Sequence, residues 1–175
     1  AVSSRDLAEG VSRVGSVAQS AGVEIDQLIA AITSLQQTTG RGGAVLSNGL
    51  KTIFTRISSA PETVKALQDV GVAIKDSSGG LRNAIDILKD YSRAREKLGE
   101  VERSSVDRTI AGTQQINVLK ALLGDLAKAN SVYEGALRAS TGATDEAIRK
   151  NQELNKTLAT LINSTQISIQ EFLAK

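Results

Sequence analysis

Residues 22–61 read GVEIDQLIAAITSLQQTTGRGGAVLSNGLKTIFTRISSAP, and their period decides the fold class. Ile25, Leu28, Ile29, Ile32 and Leu35 fall at i, i+3, i+4, i+7 and i+10, which is one face of an α-helix over about 25–38. Gly40, Gly42 and Gly43 then make a turn. Leu46, Leu50, Ile53, Phe54 and Ile57 repeat the helical spacing over about 44–58. Pro61 ends that helix, because the residue ahead of a proline resists the α region, and it suits the first position of the next helix.

The pattern extends in both directions. Val11, Val14 and Ala18 stripe a helix over about 5–21, with Ser3 or Ser4 as cap, Asp6 and Glu9 near its positive end, and Gly22 after its last turn. Gly10 and Gly15 weaken it by roughly 1 kcal/mol each relative to Ala. Val64, Leu67 and Val70 face one way on a helix that Gly71 stops. Residues 72–80 hold at most a minimal β element, since Val72-Ala73-Ile74 alternates and Asp76–Gly80 is a turn by composition. Ile85, Leu88 and Tyr91 line a helix over about 81–98, in which Asp86 and Asp90 form a like-charged pair expected to be exposed. Beyond Gly99, a short helix from Ser104-Ser105 to Ala111 stops at Gly112. A helix over about 115–140 carries Ile116, Leu119, Leu122, Leu123, Leu126, Tyr133 and Leu137. TGATDEA (141–147) reads as a loop with Thr144 capping a last helix to Ala174. The stripe of that helix, Ile148, Leu158, Ile162, Ile169 and Phe172, is interrupted by Asn151, Asn155 and Thr165, a heptad with polar core positions.

The expected fold is all-α: a bundle of short helices separated by Gly and Pro turns, followed by a long C-terminal helix. Residues 1–140 read as the folded assembly, and 141–175 as a projecting or docking helix. Fully helical, the chain would stretch to roughly 260 Å, and the breaks exclude such a rod.

Composition narrows the function. Aromatics are only 2% of the 175 residues, and His, Cys, Met and Trp are absent. That removes disulfides, thiolate nucleophiles, imidazole bases and His/Cys zinc sites. The 21 basic and 19 acidic side chains interleave, so no field invites nucleic acid or an anionic membrane. No apolar run approaches the roughly 20 residues needed to span a bilayer. AVSSRDLAEG is not a signal peptide by pattern, and without an initiator Met the chain reads as a segment or processed product.

Each reactive-looking cluster has a plainer reading. Gly49-Leu50-Lys51-Thr52 imitates a phosphate loop, but Leu stands before Lys and the stripe puts it mid-helix. Glu100/Glu102 and Asp145/Glu146 sit at a glycine break and a helix start, where carboxylates meet solvent or the helix dipole rather than a cleft. Arg93, Arg95, Lys97, Arg103 and Arg108 beside Tyr91 could grip nucleic acid. Asp90, Glu96, Glu100, Glu102 and Asp107 cancel their field, so a salt-bridged surface is expected. Asn155-Lys156-Thr157 and Asn163-Ser164-Thr165 match glycosylation acceptors by chance composition. No catalytic, cofactor or metal residue is assigned.

Taken in order, the elements resemble the core region of phage tail tape measure proteins. The likeness rests on the helix start at Gly22–Asp26, the turn at Gly40–Gly43, the apolar-Thr-Arg-apolar tail at Phe54–Ile57, the stop at Leu67–Val72, the turn at Asp76–Gly80 and Ala111–Thr113 before a Leu-rich helix. It covers roughly residues 20–125. Glu24 stands where that family more often has Ser or Asn, which predicts a cap weaker by about 1 kcal/mol. The chain is far shorter than a tape measure, which implies an excised segment.

The resemblance implies a non-enzymatic part that sets tail length and templates polymerisation of tail tube protein. It implies tail tube protein, assembly chaperones, tail tip proteins and other copies of the chain as partners. It places the protein in the tail lumen, and in the host cytoplasm during assembly, with membrane contact only during infection. Two other readings of the amphipathic helices stand beside it, a membrane-active segment assisting DNA entry and a bacterial coiled-coil scaffold or signalling segment. Near-neutral charge and scarce aromatics favour packing over membrane binding, and the breaks before Gly112 oppose a long coil.

Overall fold

The computed structural model describes residues 4–173, with side chains from Ala8 to Lys156 apart from Ala147, Asn151 and Asn155. Among the described residues there are seven helices: α1 (Ser4–Ser20), α2 (Ile25–Thr39), α3 (Gly43–Ser59), α4 (Pro61–Asp69), α5 (Ala84–Arg95), α6 (Glu100–Leu126) and α7 (Val132–Leu173). The β element shrinks to one antiparallel bridge, Lys75 with Leu81. The chain is all-α, as its periodicity requires. It divides into two compact units, Ala1–Arg138 and Ala139–Lys175.

In the first unit α3 is the central element, packed against α1, α2, α4, α5 and α6. Its stripe Leu46, Leu50, Ile53, Phe54 and Ile57 is fully buried. Each such aliphatic side chain stabilises the fold by about 1.5–3 kcal/mol. Leu28, Ile32 and Leu35 of α2 join it, but Ile25, at the first position of α2, remains 52% exposed. Gly10, which looked like a weak point, and Gly49 are sites of close approach. A Cβ on Gly10 would lie 2.7 Å from Ser47 Oγ, and one on Gly49 would lie 2.9 Å from both Val118 methyls. Gly10 brings α1 onto α3, and Gly49 brings α3 onto α6.

The joints follow from local chemistry. Gly22 adopts φ 71°, the left-handed region that closes a Schellman cap. Val23 N–H donates to Ala18 O at 2.9 Å and Gly22 N–H to Gln19 O at 3.0 Å. The α4 end repeats this arrangement, with Val72 N–H donating to Leu67 O and Gly71 N–H to Gln68 O. Glu24 does not leave α2 uncapped. Gln27 Oε1 accepts from the Glu24 N–H at 3.0 Å and from Asn83 Nδ2 at 2.6 Å, so the missing Ser or Asn is offset from the third helical position. Asn83 also caps α5, accepting from Ile85 N–H at 2.8 Å, which starts that helix at Ala84 rather than at the expected residue 81.

Three further boundaries differ from the sequence reading. First, α6 begins at Glu100 behind Gly99, not at Ser104, while Gly112 breaks it as expected, at φ 65°, ψ 169°, so that α6 is two helical stretches across a kink. That conformation interrupts the helical ladder, and the Thr109 carbonyl accepts instead from Thr63 Oγ1 of α4 at 3.0 Å. Second, the helix expected over 115–140 is broken at 127–131, where Ser131 Oγ accepts from Glu134 N–H at 3.0 Å and starts α7. Third, 141–147 is not a loop, because α7 continues through Gly142 and Thr144. One glycine costs a long helix only about 1 kcal/mol.

In the second unit the helical backbone carries Ile148 and Leu154, which are 52% and 56% exposed, and a Glu146–Lys150 ion pair at 2.8 Å. The side chains of Asn151, Asn155, Leu158, Ile162, Thr165, Ile169 and Phe172, and the caps proposed at Ser3 and Ser4, lie outside the described residues.

Candidate functional site

Two buried carboxylates, Asp107 and Asp125, are the strongest ionic features of the first unit's interior, and both are saturated by structural donors. Asp107 lies on α6 with 1% of its surface exposed. Arg95 of α5 forks onto it, with Nη2 at 2.6 Å from Oδ2 and Nε at 2.8 Å from Oδ1, and Tyr91 Oη donates to Oδ1 at 2.8 Å. Burial, then the Asp107 carboxylate, push the Tyr91 phenol well above its ordinary range, while the bond to Asp107 raises Arg95. A bidentate guanidinium with a third donor is the geometry that repays the desolvation of a buried charge.

Asp125 is the penultimate residue of α6. Its Oδ2 accepts from Ser34 Oγ of α2 at 2.7 Å and from Tyr133 N–H at 2.8 Å, and its Oδ1 accepts from Val132 N–H at 3.0 Å. It therefore caps α7 from another helix. The negative charge meets the positive end of the α7 dipole, and Lys128 Nζ lies 4.0 Å away. Lys89 of α5 completes the joint, reaching Glu134 at 2.6 Å and lying 4.9 Å from the Tyr133 ring centre. Burial raises the Tyr133 phenol.

The sequence-singled residues are placed as follows. Gly49–Thr52 lie within α3 and present no loop to a phosphate. Glu100 and Glu102 are exposed in the first turn of α6, while Asp145 and Glu146 are exposed along α7 rather than at a helix start. The Arg cluster is not one surface. Arg93 pairs with Asp90, Arg95 is drawn inward to Asp107, Arg103 donates to the carbonyls of Arg95 and Leu98, and Lys97 and Arg108 stay exposed. Tyr91 is fully buried and offers no stacking platform. Asp90 is not the idle half of a repelling pair. Burial works to raise it, but Arg82 and Arg93 outweigh that and hold it below the usual carboxylate range. Asp76 is also lowered, chiefly by the Ser78 hydroxyl, and ties off the 76–80 turn.

The sequence reading placed Asp107 among the surface carboxylates around the basic cluster, whereas it is buried, and it did not single out Asp125. A helical Asp gives no local sign that its face is turned inward. The Ser131-x-x-Glu134 spacing, a helix-start signature, was the one readable pointer to the α6–α7 joint.

Among the described residues no group of three acidic side chains converges as metal ligands would, and no helix is long and apolar enough to cross a membrane. The interior charges are engaged in joining helices, which defines the class: a helical packing module. Residues 1–124 match the profile of the phage-related minor tail protein family, and the chain belongs to that family. It is thus a structural protein of the phage tail and a virion component. The tape measure protein of Pneumococcus phage Dp-1 is 26% identical to it over 149 residues, which cover 85% of this chain and 13% of that relative. The chain accordingly spans 13% of the length of the curated relative it matches. No solved structure matches it. The resemblance to tape measure cores is supported by both the family and the relative.

Proposed function

We propose that the chain is a segment of a tape measure, in which the first unit is a folded anchoring or tip-proximal module and the helix beyond it is part of the ruler. The similarity to a named tape measure protein carries this reading. In it, tail tube protein polymerises around the assembled copies in the host cytoplasm, with assembly chaperones and tail tip proteins as further partners. The finished protein occupies the tail lumen. The exposed Ile148 and Leu154 favour contacts of the second unit with other copies or with tube protein.

The test is deletion within the parent phage. Removing four heptads, about 28 residues, from 145–172 shortens the tail by about 42 Å at 1.5 Å per residue. A deletion of similar size within residues 20–125 abolishes tail assembly. Tails of unchanged length after the first deletion, or normal tails after the second, refute the assignment.

A further inference from the structure

The outer face of the first half of α6 holds the most exposed large apolar side chain among the described residues, Val101 at 86%. Around it a shallow depression is lined by Glu100, Val101, Ser104, Ser105 and Arg108, which are exposed, and by the half-buried Thr109. The spacing of the five exposed residues, i, i+1, i+4, i+5 and i+8, makes them one continuous helix face.

The charges on this face are not consumed inside the unit, unlike those of the neighbouring arginines in and just before α5. Arg82, Arg93 and Arg95 are all engaged by Asp90 or Asp107. Among the described residues Glu100 and Arg108 form no ion pair. They stand at opposite ends of the face, about 12 Å apart along the axis at 1.5 Å per residue. The midpoint between them is Ser104, next to Ser105, where small side chains let another helix come close.

A face with an anion at one end, a cation at the other and small residues at its centre is complementary to itself when reversed. We propose that this face of α6 is an isologous contact between two copies of the chain, with the α6 helices antiparallel and the two-fold axis passing by Ser104. The operation sets Glu100 of each copy against Arg108 of the other, so one sequence feature yields two ion pairs. The aliphatic stem of each Arg108 then covers the Val101 of the second copy. Parallel copies would put Glu100 beside Glu100 and Arg108 beside Arg108, which opposes that register. The patch is small, so the contact is a weak one that forms where copies are concentrated, as they are during assembly. This inference concerns the first unit alone and goes beyond the ruler reading; tail length does not bear on it.

The chain has no cysteine, so a single Ser104→Cys variant of the full chain reports the axis directly. Mild copper–phenanthroline oxidation is expected to give a disulfide-linked dimer. Lys120→Cys, exposed further along α6, is expected to stay uncrosslinked under the same conditions. Adding Glu100→Arg or Arg108→Glu to the Ser104→Cys chain lowers the initial crosslinking rate about tenfold, because each reversal breaks both symmetric pairs. Combining the two reversals restores it, since the swapped charges are again complementary. A Ser104→Cys chain that crosslinks no faster than Lys120→Cys overturns the proposal and leaves the face to another tail component. So does a rate indifferent to the single reversals, or a double reversal that rescues nothing.

Discussion

Replacing Asp125 tests the idea that buried carboxylates, rather than apolar area alone, fix where the helices join. Asp125→Asn preserves shape but turns one acceptor oxygen into an amide donor aimed at Val132 N–H or at the Ser34 and Tyr133 donors. One charge-assisted bond disappears, worth about 1.5–3 kcal/mol, and the survivors fall to neutral strength, so the expected cost is about 3 kcal/mol. Ser34→Ala alone removes one of the three bonds and costs about 1.5 kcal/mol. In an Asp125→Ala background the Ser34 hydroxyl is buried with no acceptor, so removing it is neutral or favourable there. The cycle therefore carries a coupling of about 2 kcal/mol, with Ser34→Ala less harmful in the second background. Urea unfolding followed by tyrosine fluorescence suits the measurement, because Tyr91 and Tyr133 are the only tyrosines, both are buried in the first unit, and there is no Trp. Hydrogen exchange at Val132 and Tyr133 should quicken in Asp125→Asn before exchange at Leu50 does. Additivity within about 0.5 kcal/mol would show that Ser34 and Asp125 do not form the joint described.

Glycines should divide by environment. Gly15→Ala, helical with nothing within 4 Å of the added Cβ, stabilises by about 0.5–1 kcal/mol, whereas Gly112→Ala, at φ 65°, destabilises by at least about 1–3 kcal/mol. Equal shifts in urea midpoint would contradict the kink. Gly49→Ala is expected to cost about 1–3 kcal/mol against the Val118 methyls, and Val118→Ala in the same chain to recover part of that loss. Side-chain titration gives a flat stability plateau from about pH 5 to pH 9, because there is no histidine. Below about pH 4 stability falls, since Asp76 and Asp90 are depressed in the folded state and their contribution is lost as they protonate. Above about pH 10 it falls again, because Tyr91 and Tyr133 are raised in the fold and only the unfolded chain ionises easily. Melting temperature against pH checks both limbs.

What could be read from the sequence was local chemistry. Gly22, Gly40 and Gly71 end helices as the caps demand, Pro61 opens one, and the α3 stripe is buried as its period requires. The errors came where tertiary partners decide. Glu24 looked like a poor cap because Asn83, 59 positions on, could not be seen buttressing Gln27. The 127–131 break has no glycine or proline, and the false loop at 141–147 has Gly142, so breaker residues misled in both directions. Asp107 and Asp125 look like any other helical carboxylate until α5 and α2 supply Arg95 and Ser34. For the same reason the basic cluster around Tyr91 resolves into one buried clamp and scattered surface charges.

The two units differ in how much length a residue can encode, and this fixes what a deletion must do if the chain is a ruler segment. A residue in an extended helix carries about 1.5 Å. The 138 residues of the first unit, folded compactly, have an expected radius of gyration of about 14 Å, so they span only a few tenths of an ångström per residue. Losing ten residues from 20–125 therefore cannot shorten a tail by about 15 Å without first unfolding the unit, since Leu50, Ile53 and Phe54 are buried against its other helices. A phage whose tail shortened in proportion to deletions on both sides of Arg138 would mean that the first unit is drawn out inside the tube. In that case the glycine joints and the Asp125 cap would belong to a state that precedes packaging, and the anchoring role would be wrong.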